Sequence, residues 1–142
     1  MASSPSRRQG ARLVAVGLGV LAAVAVWIVS EQVLGVDVRE PAFGASAPNA
    51  IGAGQVVVAS VVTGLAAWLA LAILERLTRH ARTAWVALAS VVLAVSLGAP
   101  LSGSGIDGGS RLVLAMLHLT VGLLLIVLLA RTARPATSRR DR

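Results

Sequence analysis

A single histidine lies within an apolar stretch near the C-terminal end of the chain. His118 occurs in the segment LAMLHLTVG, and no other ionisable side chain is present between Leu112 and Ala130. An imidazole is costly to place in hydrocarbon without a partner, and such residues often mark functional sites. His118 could exchange a proton or bind a ligand, or it could hold helices together through a hydrogen bond. The sequence leaves both roles open.

Other polar side chains interrupt the neighbouring apolar stretches. At about 1.5 Å of rise per residue, Ser96 and Ser60 fall nearest to the depth of His118, whereas Gln55 and Glu31 fall nearer the membrane boundary. We expect Ser96 to be the best hydrogen-bond partner of His118. Glu31 either meets water at a helix end or faces the interior as a partner of the imidazole. The predicted intramembrane polar cluster is therefore His118, Ser96, Ser60, Gln55 and Glu31.

No residue of the chain is assigned a catalytic, metal-binding or cofactor-binding role. There are no cysteines, which excludes disulfides and thiolate metal sites. The segment GIDGG around Asp107 lacks the further acidic ligands that a calcium loop supplies. A serine nucleophile would need an orienting third group and an oxyanion site in addition to a histidine, and neither is visible.

The elements that must position the polar cluster are four long apolar stretches. A spanning helix needs about 20 mostly apolar residues, and short connections make sequential helices antiparallel. The sequence predicts an all-α integral membrane protein, an up-down four-helix transmembrane bundle. The predicted domain covers residues 13–130, with spans at about 13–34, 51–74, 83–101 and 112–130, between basic cytoplasmic tails at 1–12 and 131–142.

Composition supports a membrane setting rather than a nucleic-acid partner. The chain is 56% hydrophobic and 13% charged, with a formal net charge of +7, whereas about a quarter of the residues of a soluble domain are charged. Every basic residue is an arginine, and the arginines lie at the ends of apolar runs. We therefore expect the lipid bilayer to be the partner. Arginine without lysine, together with abundant alanine and valine, also indicates a GC-rich bacterial genome.

The arginines predict the orientation of the bundle. Eleven of the thirteen would lie on the side of both termini, and only Arg39 and Arg111 on the other side. Because positive residues are retained in the cytoplasm, we expect a multi-pass protein of the bacterial plasma membrane with cytoplasmic termini. The alternative, a cleaved signal peptide ending near AVA at 23–25, is disfavoured because the apolar run continues to Val29. We further expect Glu75 and Asp107 to be solvated.

Small residues recur at helical spacing on three of the spans. Such stripes let helices pack closely in lipid, where no hydrophobic drive brings them together. They would serve packing within the bundle, and they also allow a homo-oligomer or another membrane protein as a partner. The predicted packing residues are Gly19, Ala23, Ser60, Gly64, Ala67 and Gly122.

Two segments carry a resemblance to a known family. They are WVALASVVLAVSLGAPLS at 85–102 and LVLAMLHLTVGLLLI at 112–126. A Trp-led third span that ends in Ser and Pro, followed by a fourth span with Met-Leu-His, resembles an actinobacterial family of small four-span membrane proteins catalogued as a domain of unknown function. The resemblance implies a four-helix membrane protein with no established activity. It directs attention to Ser96, Pro100, Met116 and His118.

Three classes of function are compatible with these features. The first is a non-enzymatic membrane module that interacts with another protein or binds a small ligand, with its polar cluster biased outward. The second is a small transporter subunit, although compact exporters usually carry a carboxylate deep in the first span and Glu31 lies near its end. The third is a membrane enzyme that acts on a lipid-like substrate through His118. We favour the first.

Overall fold

The computed structural model describes residues 5–40, 49–102 and 106–134. In this part of the chain, four helical segments are long and apolar enough to cross a membrane, which confirms the predicted four-helix transmembrane bundle. The helices are α1 (Pro5–Ile28), α2 (Ala53–Leu77), α3 (Ala81–Ser96), α4 (Gly98–Ser102) and α5 (Gly108–Thr132), with a π-helical turn at Val29–Val33 and two short strands, β1 (Arg39–Glu40) and β2 (Asn49–Ala50).

The first and last helices extend beyond the predicted spans. α1 begins at Pro5, within the predicted tail 1–12, and α5 ends at Thr132. The ends of both predicted tails, residues 1–4 and 135–142, lie outside the described residues, as do 41–48 and 103–105 in the connections. The division into tails and membrane domain therefore stays a prediction.

The bundle is held together mainly by α5. This helix packs against α1 and α3, and α1 also packs along α2, whereas the contact between α2 and α3 is less extensive. Leu117, Val121, Leu125 and Leu129 of α5 are all buried. The outward faces of the helices are apolar as well, with Leu21 67% and Leu69 62% exposed. Apolar residues on both the inner and the outer faces are what a lipid environment favours.

α1 ends in a π-helical turn and a short hairpin. Ser30 donates a hydrogen bond to the Val26 carbonyl at 2.8 Å, and Gly35 then reverses the chain at a φ of +64°, a region that favours glycine. The strands β1 and β2 pair antiparallel, with Glu40 opposite Asn49. This end of the bundle, which also contains α4 and the start of α5, is called the hairpin end below.

The start of α5 is tied to the chain that follows α1. Asp107 is the N-cap of α5 and accepts a hydrogen bond from the Ser110 amide at 2.9 Å. The fully buried Ser110 hydroxyl contacts Asp107 Oδ2 at 2.8 Å and the Asp37 carbonyl at 3.2 Å, and it accepts from the Arg39 amide at 3.2 Å. The bonds from Ser110 lower the pKa of the Asp107 carboxyl. Asp107 is exposed, as expected, and it also serves as the cap of the helix.

A buried ion pair lies at the opposite end of the bundle, called the basic end because Arg76, Arg79 and Arg82 are exposed there. Arg12 Nη2 donates to Glu75 Oε1 at 2.7 Å, and the two side chains are only 8% and 5% exposed. Arg12 also donates to the Thr132 hydroxyl at 3.1 Å. The expectation that Glu75 is solvated is therefore wrong: its charge is compensated by Arg12, so burial is possible.

A proline accounts for the interruption between α3 and α4. Pro100 has no amide hydrogen to donate to the carbonyl of Ser96, one turn earlier. The helix ends at Ser96 and resumes as α4 after Leu97. Pro100 is fully buried, and Arg111 donates to the Leu101 carbonyl at 2.7 Å, which links α4 to α5.

Candidate functional site

A cleft of about 870 Å³ separates α2 from α3, α4 and α5. Two close approaches between helices account for its position. A Cβ on Gly64 would lie 2.7 Å from Val16 Cγ1, so this glycine lets α2 pack tightly on α1. A Cβ on Gly122 would lie 2.6 Å from Leu93 Cδ1, so that glycine does the same for α3 and α5. α2 is held by α1, and α3 by α5, while α1 and α5 pack on each other. The gap that remains lies between α2 and the α3–α5 pair.

The walls of the cleft are largely apolar. α2 contributes Val56 and Ala67, α3 contributes Ala89, and α5 contributes Leu117 and Leu125. Several of the lining residues on α2 are also exposed on the outside of the bundle, including Val58 and Val62. The cleft is therefore open along the side of the bundle, where a membrane protein meets lipid.

A tryptophan lines the end of the cleft nearer the basic end of the bundle. Trp85 is 3% exposed, and its Nε1 donates a hydrogen bond to the Ile126 carbonyl at 3.2 Å. This bond joins α3 to α5 and fixes the indole ring. The cleft reaches from Trp85 to Glu40 at the hairpin end.

Four of the five predicted cluster residues line this cleft. They come from three different helices, and the structure places Thr63 of α2 and Glu40 of β1 with them. The polar lining residues are Glu40, Gln55, Ser60, Thr63, Ser96 and His118. Sequence spacing thus identified most of the polar side chains that face one cavity, although their role there stays a prediction.

His118 is hydrogen-bonded to its own helix rather than to a neighbour. Its Nδ1 lies 2.7 Å from the carbonyl oxygen of Leu114. Because a carbonyl can only accept, Nδ1 carries the hydrogen, and in the neutral ring Nε2 is then an acceptor. Nε2 has no hydrogen-bond partner among the described residues. Nε2 is therefore the nitrogen that remains for an occupant of the cleft.

The expected bond between Ser96 and His118 is not formed. Ser96 donates to the Leu93 carbonyl of its own helix at 2.8 Å. Serine hydroxyls in helices often make such local bonds, because the carbonyl one turn earlier is always within reach. Ser96 and His118 line the same cleft as separate groups, not as a nucleophile and its base.

The Gln55 side chain caps the start of α2. Its Oε1 accepts a hydrogen bond from the Gly52 amide at 3.2 Å, which satisfies a donor just before the first turn. The side-chain oxygen of Gln55 is occupied in this way. Its amide nitrogen is the part that could interact with a ligand at the hairpin end of the cleft.

Glu31 does not line the cleft. It lies in the π-helical turn at the end of α1 and is half-buried. The carboxylate that does line the cleft is Glu40 of β1. Glu40 could not be found from helical spacing, because a short hairpin brings it over the bundle.

The predicted packing residues fall into two groups. Gly64 and Gly122 are at close helix contacts, whereas a Cβ on Gly19 would meet Leu125 only at 3.9 Å, an ordinary contact distance. Ala23, Ser60 and Ala67 line the cleft, and Ala23 is 1% exposed. Gly122 lines the cleft as well, so four of the six predicted packing residues shape the cavity.

The described residues contain no group of three or more His, Asp or Glu side chains that could hold a metal ion. Neither a curated protein nor a solved structure matches the chain. The model of the Family of unknown function (DUF6069) matches residues 3–135, which include all four apolar helices and the cleft. The chain therefore belongs to this family of unknown function, DUF6069.

Proposed function

We propose that this membrane protein binds a long-chain amphipathic molecule in the cleft between α2 and α3–α5, without catalysing its conversion. The observation that carries the proposal is the combination of apolar walls with His118, whose Nε2 has no partner among the described residues. The cavity volume of about 870 Å³ falls in the range of small-molecule sites, which pair apolar linings with a few polar groups.

The polar lining argues for an amphipathic occupant rather than a lipid tail alone. A bare alkyl chain would leave His118 Nε2 and the hydroxyl groups of Ser60 and Thr63 without partners in a low-dielectric site, which is unfavourable. A wholly polar ligand would not match the apolar walls around Leu117 and Leu125. A molecule whose polar part lies toward the hairpin end and whose apolar tail lies toward Trp85 matches this lining better than either alternative.

The length of the cleft suits a chain-like ligand. The lining residues of α2 run from Gly54 to Ala67, which corresponds to about 20 Å along the helix axis at 1.5 Å per residue. The opening along the side of the bundle would let such a molecule enter from the bilayer, where amphiphiles are concentrated.

The distribution of arginines supports an orientation with the basic end in the cytoplasm. The polar end of the cleft would then face outward, in the plasma membrane of an actinobacterium. Because the chain has no cysteine, Asn49→Cys and Arg79→Cys provide single labelling sites in the exposed β2 and α2–α3 connection. We expect a membrane-impermeant maleimide to label only Asn49→Cys in intact cells, and exclusive labelling of Arg79→Cys would reverse the orientation.

The alternative functions have less support from the described residues. An enzyme that uses Ser96 and His118 would need them in contact, and each bonds to its own helix instead. A proton-coupled transporter would need a carboxylate deep in the cleft, and Glu40 lies at its hairpin end. An oligomer or another membrane protein could cover the outer faces without occupying the cleft.

Photolabelling tests the proposal. The protein is reconstituted in phosphatidylcholine liposomes with a long-chain alcohol that carries a diazirine on its alkyl chain, and the labelled fraction is measured with and without excess unlabelled alcohol. Ala89→Phe places a bulky ring in the cleft. Ala87→Phe makes the same change at an exposed position on α3 that does not line it.

We expect the competed labelling to fall severalfold in Ala89→Phe and to stay unchanged in Ala87→Phe. Helix content and monodispersity of the two variants serve as the folding control. Equal competed labelling of the wild type and of well-folded Ala89→Phe, or labelling that the excess alcohol does not reduce, would contradict ligand binding in the cleft.

A further inference from the structure

Among the described residues, the cleft is lined by a single charged side chain, and its charge is negative. Glu40 is the one charged side chain among its lining residues in the described part of the chain, and it is half-buried. The two internal segments outside the description, 41–48 and 103–105, contain no ionisable residue in their sequences. Neither of these segments can therefore supply a cation that neutralises Glu40.

The nearby arginines at the hairpin end are engaged elsewhere. Arg39 donates to Asp37 Oδ2 through both Nε and Nη2, at 3.0 and 2.6 Å, and this pairing raises its pKa. Arg111 donates to the Leu101 carbonyl at 2.7 Å. Neither arginine lines the cleft. The local charge that an occupant meets at the hairpin end is therefore negative.

The neutral polar groups lead to the same conclusion. Nε2 of His118, the ring nitrogen that remains for an occupant, presents a lone pair in the neutral ring. An anionic head at the hairpin end would face the Glu40 carboxylate, and deeper in the cleft it would face the His118 lone pair, with no cation among the described lining residues to compensate. A cationic head that carries N–H groups would pair with the carboxylate and could also donate hydrogen bonds.

We propose that the ligand is a long-chain amine, with its ammonium group beside Glu40 and its alkyl chain extending along α5 toward Trp85. This inference rests on the proposed function and specifies the head group of the ligand. Charge complementarity selects this occupant, because a lipid with an anionic head would place two negative charges together at the hairpin end of the cleft.

Competition between amphiphiles with the same tail tests the proposal. The diazirine alcohol labels the wild type in phosphatidylcholine liposomes while dodecylamine, dodecyl sulfate or dodecanol is added at equal low mole fractions in the membrane. We expect dodecylamine to halve the labelling at a mole fraction about fivefold lower than dodecyl sulfate, the factor that one partly exposed ion pair provides.

The matched variants are Glu40→Gln and Glu31→Gln. Both remove one negative charge at the hairpin end, but Glu31 does not line the cleft. We expect the preference for dodecylamine to disappear in Glu40→Gln and to remain in Glu31→Gln. Loss of the preference in both variants would assign it to the general surface potential and would overturn the role of Glu40.

The comparison of dodecylamine with dodecyl sulfate on the wild type does not depend on the folding of a variant. Equal competition by dodecylamine and dodecyl sulfate, or stronger competition by dodecyl sulfate, would overturn the cationic head group. Binding of an amphiphile in the cleft would still stand in either case. If no amphiphile reduces the labelling, the proposed function itself fails, and the two results are therefore distinguishable.

Discussion

Arg12 of α1 and Glu75 of α2 form an ion pair of 2.7 Å at the basic end of the bundle, almost completely shielded from solvent. The same Arg12 side chain donates to Thr132 of α5, and Glu75 Oε1 also accepts from the Arg134 amide at 2.9 Å. Two charged side chains thereby connect three helices at the end of the bundle opposite Glu40.

Removing one member of this pair should destabilise the bundle. Glu75→Gln leaves a buried guanidinium without its counter-charge, and we expect a loss of about 3–5 kcal/mol in the free energy of unfolding in mixed micelles. Arg76→Gln, at an exposed neighbour, should change it by less than about 0.5 kcal/mol. The double variant Arg12→Met, Glu75→Leu should recover most of the loss. Equal stability of the two single variants would contradict this account.

The glycine contacts predict an order of tolerance to alanine. Gly19→Ala should be neutral or stabilising by up to about 1 kcal/mol, because its nearest contact is 3.9 Å and alanine favours helix. Gly64→Ala should cost about 1–3 kcal/mol, because Val16 is stiff and its Cγ1 would lie 2.7 Å away. Gly122→Ala should be intermediate, since Leu93 is flexible. Thermal aggregation in detergent measures the order, and a tolerated Gly64→Ala would refute it.

Asp107 predicts a dependence of stability on pH. Bonds from Ser110 hold the pKa of its carboxyl below the ordinary value of 3.8. The folded state therefore binds this proton less readily than the unfolded state. The contribution to stability is complete above pH 3.8 and is lost as the pH falls through the lower, folded value. Asp107→Asn should lose this acid-dependent part. An identical fall in melting temperature at low pH for both proteins would contradict it.

The tautomer of His118 is a further prediction. Nδ1 should carry the hydrogen and Nε2 should be unprotonated in the neutral ring, because Nδ1 donates to Leu114. Nitrogen chemical shifts of labelled histidine report this directly. Ser96→Ala should leave these shifts unchanged, because Ser96 bonds to Leu93. An Nε2–H tautomer would contradict the bond from Nδ1 to Leu114. A shift of the ring resonances in Ser96→Ala would indicate a contact between Ser96 and His118.

The sequence was sufficient to predict the four spans, because an uninterrupted apolar run of about 20 residues matches the thickness of a bilayer and exceeds what a soluble core helix needs. It also grouped His118, Ser96, Ser60 and Gln55, since depth along antiparallel helices follows from residue counting. It failed for the hydrogen bonds of His118 and Ser96. Depth does not show that a carbonyl of the same helix is nearer than the neighbouring helix.

The residues that sequence reasoning missed share a physical reason. The buried partners Arg12 and Glu75 lie 63 positions apart, and Ser110 bonds to Asp37 across 73 positions. Such pairs form only through tertiary packing. In the sequence, each of these residues is a polar residue near the end of an apolar run, which is typical of a solvated helix end. Glu40 reaches the cleft because β1 pairs with β2, and no hydrophobic periodicity in the sequence predicts that pairing.

The most direct test of the central claim is to map where the photolabel attaches to the wild type. With the diazirine near the end of the alkyl chain, digestion and mass spectrometry should locate the competed adducts on residues around Trp85, Ala89 and Leu125. Adducts confined to outward-facing residues such as Leu21 and Leu69, which are exposed on the surface of the bundle, would show that the alcohol contacts the protein only as bulk lipid and would contradict a binding cleft.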